Sequence, residues 1–223
     1  MFKVAIDGPS GAGKSTISKV IAGRLGFTYI DTGAMYRAAA LFCVRKCVDI
    51  KNEPEKATEL VKSITIDLKN SENGTIVFLN GENVTDLIRT PEISLGASNV
   101  SAIPEVRVVL VEKQREMGNR VNVIMDGRDI GTCVLPDADV KIFLTASSEA
   151  RAKRRYAELC EKGEKVTFDE VLADMKKRDH NDSTRKASPL KPAEDSITID
   201  TTELDFNESV NVIYNTICER LEK

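Results

Sequence analysis

The chain has no tryptophan and a single histidine, His180. One imidazole leaves little for a histidine-based zinc site or a Ser-His-Asp triad. The five cysteines, Cys43, Cys47, Cys133, Cys160 and Cys218, are odd in number and form no C-x-x-C pair. Reduced thiols in a cytoplasmic protein account for them. Cys43 and Cys47 stand four apart, as helical metal ligands do, but read better as two apolar thiols in a helix core. No apolar run approaches the ~20 residues that span a bilayer. The start "MFKVAIDGPS" is too short an apolar segment for a signal peptide. With 32 basic residues against 35 acidic the net charge is −3, so no basic field draws the chain to nucleic acid. Recognition must come from local sites. Nothing suggests an obligate interface, so a monomer is expected. The remaining composition is that of a globular protein, and 223 residues suffice for one domain with an inserted subdomain.

Short apolar runs carry the fold. "FKVAI" ends at a turn as a buried strand does, and further strands fall near residues 27, 122, 140 and 197. Ile17, Val20, Ile21 and Leu25 recur at helical spacing before Gly26. A long helix is expected from about Gly33 to Cys47, and others at "PEKATELVKSI" and "PEVRVVLVEKQREMGN". Two charged helices cover roughly 147–162 and 167–180, and an amphipathic one about 206–222. This alternation predicts an α/β three-layer sandwich with a five-stranded parallel sheet. Residues 64–85 interrupt it with period-two apolar residues and the hairpin signal Asn80-Gly81. They are expected to form a small antiparallel insert outside the main sheet.

"AIDGPSGAGKSTISKV", residues 5–20, joins the first strand to the first helix by the pattern G-x-x-x-x-G-K-[ST]. Gly8, Gly11 and Gly13 let the backbone of Pro9, Ser10 and Ala12 turn its N–H groups toward anionic oxygens. Lys14 supplies a charge for the β- and γ-phosphates, Ser15 a hydroxyl for Mg²⁺, and Ser15 and Thr16 open the helix whose N-terminus favours negative charge. In "VIMDGRD", Asp126 falls at a strand end, where it could help hold Mg²⁺ through water. Gly127 follows it, not a glutamate that would activate water, and no N-K-x-D guanine motif occurs. Transfer to an acceptor therefore fits better than hydrolysis or a GTPase switch. Asp7 could orient the loop or touch the acceptor.

Arginines crowd the acceptor side. Arg37 and Arg128 follow strands and project at their carboxyl ends, where ligands bind in parallel sheets. Together they could grip a phosphate in two-pronged fashion. Otherwise Arg37 is a surface residue and Arg128 pairs with Asp126 or Asp129. Arg151, Arg154 and Arg155 recur at i, i+3 and i+4, where triphosphate oxygens would relieve their repulsion in a mobile lid. The plain alternative is a solvated face paired with Glu158. "RDHNDSTR" sets Arg178, Asp182 and Arg185 at a helix end, suited to sugar hydroxyls or to a surface network.

"IDGPSGAGKST", "DTGAMYR", "DGRDIGT" and "RDHNDSTRKASPL", in this order, resemble the bacterial cytidylate (CMP) kinases over nearly the whole chain. The resemblance implies a single P-loop kinase domain that moves the γ-phosphate of ATP to CMP or dCMP with Mg²⁺. It implies a core of residues 1–33 and 119–223 with a helical lid over 147–180. An acceptor-binding region would occupy 34–118, including the β insert at 64–88. Arg37 and Arg128 would bind the acceptor phosphate, aided by the hydroxyl of Thr32. Ser98, Arg107 and Asp129 would read cytosine, and Arg178, Asp182 and Arg185 would hold the sugar. The rivals are a P-loop kinase for UMP or another small acceptor and a non-catalytic nucleotide switch.

Overall fold

The structure, a computed structural model, describes residues 1–71, 74–161 and 163–222. Strand β1 (Lys3–Asp7) leads into helix α1 (Lys14–Leu25), then β2 (Thr28–Asp31) and α2 (Thr32–Arg45). Helix α3 (Pro54–Ser63) precedes three short strands, β3 (Ile66–Ser71), β4 (Gly74–Leu79) and β5 (Glu82–Asn83). Helices α4 (Pro91–Ser101) and α5 (Pro104–Gly118) return the chain to β6 (Val123–Gly127), and β7 (Val140–Thr145) follows. Helices α6 (Ser148–Glu161) and α7 (Phe168–Thr184), strand β8 (Ile197–Asp200) and α8 (Phe206–Leu221) complete it.

The five expected strands form one sheet in the order β2-β6-β1-β7-β8, each pair parallel. Helices cover both faces, which is why the strands read as continuous apolar runs. Along β1 the side chains alternate. Val4 and Ile6 pack with Ile17 and Ile21 of α1 and with Val210, Ile213 and Ile217 of α8. Ala5 joins Met125, Val111 and Leu135 on the opposite face. The second layer of the fold has its own core, built from α2, α3, β3, β4, α4 and α5 between Ala34 and Leu110, with Val84 and Ile88.

The insert is antiparallel, in the order β3-β4-β5. Asn80 and Gly81 both take left-handed backbone angles, φ 50° and 84°, as a two-residue hairpin turn requires. They join β4 to the two-residue β5. The connection between β3 and β4, at residues 72–73, lies outside the described residues, as do 162 and 223.

Three boundaries differ from expectation. Helix α2 stops at Arg45, and Cys47 lies beyond it with φ 54°, exposed; its N–H closes a turn on the Val44 carbonyl at 2.9 Å. Only Cys43 is a core thiol. Helix α4 is absent from the sequence reading. Thr90 starts it, accepting the Ile93 amide at 3.2 Å, and Pro91 occupies its first turn. Helix α7 runs on to Thr184, so Arg178 and Asp182 lie one turn apart on the same helix.

Candidate active site

The glycine-rich loop crosses the end of β7. Gly8 has φ 150°, and a Cβ there would stand 1.9 Å from the Leu144 carbonyl oxygen, so only glycine fits. Helix α1 begins at Lys14, whose buried Nζ donates to the Pro9 carbonyl at 2.7 Å. Burial, and after it the charge of Arg128, draw the Lys14 ammonium down to about 7. Gly11 lies beneath helices α6 and α7: a Cβ there would meet Met175 Cε at 3.0 Å and Arg151 Cβ at 3.3 Å.

Asp126, at the end of β6, gathers hydroxyl groups. Ser15 Oγ donates to its Oδ2 at 2.8 Å and the Tyr29 hydroxyl to its Oδ1 at 2.7 Å. Thr32 Oγ1 donates to its backbone carbonyl at 2.7 Å, so this hydroxyl ties α2 to β6. Burial, and then the charge of Asp31, push the Asp126 carboxyl up; Lys14, Tyr29 and Ser15 oppose them. A carboxylate and a serine hydroxyl in contact beside a phosphate loop suit Mg²⁺, which takes few protein oxygens and completes its shell with water and phosphate. Among the described residues no group of three acidic, histidine or cysteine side chains forms a fuller metal cage.

Asp7 has another task. Its two oxygens accept the amides of Ile130 and Gly131, each at 2.7 Å. It thereby holds the turn Ile130–Val134 that follows Arg128 and Asp129. Burial pushes its carboxyl up to about 6.

The arginines divide into three groups. In the first, Arg37 Nη2 donates to Asp31 Oδ2 at 3.0 Å, while Asp31 also caps α2 by accepting the Ala34 amide. Arg37 Nε is buried with no partner. Arg128 Nε donates to Asp182 Oδ2 at 2.9 Å, so its counter-ion is neither of the two aspartates weighed from the sequence. The Arg178 side chain makes no ion pair or hydrogen bond among the described residues. Burial, then the charge of Arg128, lower its guanidinium to about 10, with Arg37 and Arg155 adding to the repulsion. Burial works to raise the Asp182 carboxyl, but Arg128, Arg178 and Arg185 hold it below the ordinary value. An anion between Arg37, Arg128 and Arg178 would relieve this crowding.

The second group surrounds Asp129. Arg107 forms a buried ion pair with its Oδ2, and Arg185 Nη2 stands 3.7 Å from its Oδ1. Arg107 also donates to the Ser101 carbonyl at 3.3 Å and lies 5.5 Å over the Tyr36 ring. Tyr36 Oη, Arg107 Nε and Arg185 Nη2 are buried without hydrogen-bond partners. Such orphans beside one another mark a place for a flat polar ligand. Ser98 is half-buried on α4, its carbonyl accepting from Ser101 Oγ at 2.9 Å.

The third group is the trio on α6, which does not act as one cluster. Arg151 is buried and donates to the Ala146 carbonyl at 2.8 Å and the Ser10 carbonyl at 2.9 Å, and pairs with Asp179 at 2.7 Å. Arg154 turns away to the Thr201 carbonyl at 2.6 Å. Arg155 pairs with Glu158 at 2.7 Å on the exposed face. Only Arg151 touches the phosphate loop. The solvated pairing considered from sequence holds for Arg155 alone.

Tyr29, Asp31, Tyr36 and Asp179 escaped the sequence reading. Asp31 and Tyr36 stand with Arg37 in "DTGAMYR" and Asp179 beside Arg178 in "RDHNDSTR", so both stretches carry a signal; Tyr29 has none apart from the partners the fold brings to it.

The family model described as "Cytidylate kinase" matches residues 4–219. A cytidylate kinase of Caldanaerobacter subterraneus subsp. tengcongensis is 54% identical over 215 residues, covering 96% of this chain and 94% of the relative. One of Lactiplantibacillus plantarum is 47% identical over 219 residues, covering 98% and 96%. Among solved structures, an uncharacterized protein from Eubacterium ventriosum superposes with a TM-score of 0.50 at 13% identity, covering 99% of this chain and 98% of that one. That last likeness concerns the fold alone.

Proposed function

The chain belongs to the cytidylate kinase family, and from that premise we propose that ATP and a cytidine monophosphate meet between Lys14 and Arg128. It is a P-loop phosphotransferase acting on CMP and dCMP, with ATP as donor. The loop from Gly8 to Thr16 turns its amides to the donor phosphates, and Lys14 leaves the Pro9 carbonyl for them. Ser15 and Asp126 would hold Mg²⁺, which would neutralise phosphate charge when bound.

Arg37, Arg128 and Arg178 receive the acceptor phosphate. The observation that carries this reading is Arg178, whose side chain makes no hydrogen bond or ion pair among the described residues and is crowded by the charges of Arg128 and Arg37. An acceptor phosphate oxygen is already anionic, so it attacks the γ-phosphorus without a general base, and ADP leaves with the bridging oxygen. A site of cations lacking histidine suits that chemistry. Asp129, Arg107, Arg185, Ser98 and Tyr36 meet the cytosine, and Asp182 and Arg178 the sugar. Thr32 contributes by fixing the start of α2. Four of these groups, Tyr36, Arg37, Ser98 and Arg107, stand on α2, α4 and α5, which supports residues 34–118 as an acceptor-binding region, while Arg128, Asp129, Arg178, Asp182 and Arg185 reach the acceptor from outside it. Helices α6 and α7 form the lid, which excludes water through Arg151 and Met175 above Gly11.

A coupled assay of ADP release with ATP and Mg²⁺, run across the common nucleoside monophosphates, tests this. Turnover with CMP and dCMP far above UMP is expected. ATP turnover indifferent to every monophosphate would reject it in favour of a nucleotide switch.

A further inference from the structure

Tyr29 is buried on the α1 face of the sheet, packed with Ile21 and Ile124. The register pairs Tyr29 with Ile124 and Asp31 with Asp126. Because side chains alternate along a strand, Tyr29, Ile124 and Asp126 point to one face, the face from which α1 presents Ser15. Phenylalanine would fill the same space. The hydroxyl is what differs, and it donates to Asp126 Oδ1 at 2.7 Å while Ser15 takes Oδ2 at 2.8 Å. Lys19, one turn after Ser15 on α1, places its ammonium 5.7 Å from the centre of the ring.

The terminal torsion of an aspartate is soft, with broad, roughly two-fold preferences. Two hydroxyl groups on opposite oxygens remove that freedom. Ser15 alone could not, because a hydroxyl that is a candidate cation ligand cannot at the same time be the fixed anchor of its neighbour. Tyr29 reaches the carboxylate from β2, where its hydroxyl also neighbours that of Ser15.

We propose that Tyr29 is a positioning residue for the divalent cation, acting through Asp126: its hydroxyl fixes the carboxylate so that one oxygen stays turned toward Ser15. This rests on the reading of Ser15 and Asp126 as the pair that holds the cation. Outer-shell partners of this kind are worth about ten- to a hundredfold in metal affinity.

The test is titration of Mn²⁺, followed by its electron paramagnetic resonance signal, into the protein with a non-hydrolysable ATP analogue. The parent, Tyr29→Phe and Asp126→Asn are compared, and analogue affinity is measured separately in EDTA. Tyr29→Phe should weaken Mn²⁺ binding by about tenfold and leave metal-free analogue affinity unchanged. Tyr29→Met, which also lacks the hydroxyl, repeats the comparison should the first variant unfold. Parental Mn²⁺ affinity in Tyr29→Phe, with loss in Asp126→Asn, overturns the proposal and spares the reading beneath it. Parental affinity in Asp126→Asn removes that reading and the proposal together. Equal loss of metal-free and metal-loaded binding in Tyr29→Phe makes the tyrosine a support of the loop, and also overturns it.

Discussion

Arg107 and Asp129 form an ion pair across the gap between α5 and the turn after β6, with side chains only 4% and 6% exposed. One aspartate thus neutralises a buried guanidinium and faces Arg185 as well. A ligand base that approaches this corner meets a carboxylate already oriented, which favours the exocyclic amino group of cytosine over the carbonyl of uracil.

Replacing Asp129 by Asn keeps the shape, removes the charge and lets the amide donate. Leaving a buried polar group unpaired costs about 1–3 kcal/mol, and about 1.4 kcal/mol is a tenfold change. Asp129→Asn should lower kcat/KM for CMP and narrow the CMP to UMP ratio by about tenfold. Steady-state kinetics with both substrates decides. If both values fall in proportion, Asp129 serves Arg107 and does not read the base.

Lys14 sits near 7 in the free protein because burial and the Arg128 charge disfavour its ammonium form. Triphosphate oxygens beside Nζ favour that form, so the pKa rises on binding. At about pH 8, ATP should therefore bind with net uptake of a proton, and the uptake should fade toward pH 6, where the amine is protonated beforehand. Calorimetry in buffers of different ionisation enthalpy measures it. Lys14→Ala should abolish both the uptake and most of the transfer.

Arg37 meets Asp31 through Nη2 and leaves Nε buried and unmatched. A lysine can keep the ion pair but cannot offer a second, parallel donor. Arg37→Lys should reduce kcat/KM for CMP by roughly tenfold or more with KM for ATP unchanged. Equal kcat/KM would show that charge alone matters there.

Two glycines separate strain from collision. Gly26 has φ 67° and open space within 4 Å of where a Cβ would stand, whereas at Gly8 that atom would strike the Leu144 carbonyl. Gly26→Ala should cost about 1–2 kcal/mol. Gly8→Ala should exceed about 4 kcal/mol or prevent folding. Urea midpoints at equal slope compare them.

Helices α6 and α7 share a small core of Ala152, Val171 and Met175, and meet the loop through Arg151. If they move as a unit, amides of residues 148–161 should exchange quickly in the free protein and slow when both nucleotides bind. Unchanged exchange would make Arg151 a static strut.

What is legible in the sequence follows from the range of each signal. Strands announce themselves because buried runs such as "FKVAI" end abruptly at glycine or charge. Lys14, Ser15 and Asp126 are legible because strand ends and the helix start fix their positions locally. Helix α4 is not. A Cβ at its Gly96 would stand 3.2 Å from Ala40 Cβ of α2, so Gly96 and Ala97 thin the stripe between Ile93 and Val100 that would have marked it. Arg128 reads as a site residue, but its partner Asp182 is 54 positions away, on a helix whose placement depends on tertiary packing. Arg154 groups with Arg151 from spacing alone, yet Thr201 captures it, because neighbours on a helix still diverge when different loops flank them.

The strand order has a consequence in time. The phosphate loop hangs from β1, near the start of the chain, yet β1 pairs with β6 and β7, opening at Val123 and Val140. As the chain is synthesised, the loop therefore has no neighbouring strand until more than half of the polypeptide exists. Closing such long segments is entropically costly before the parallel pairs reward it. The hairpin of Asn80 and Gly81, with its nearby contacts, forms under no such delay. The order of assembly thus runs against the order of residues, and the first motif to be made is among the last to take shape.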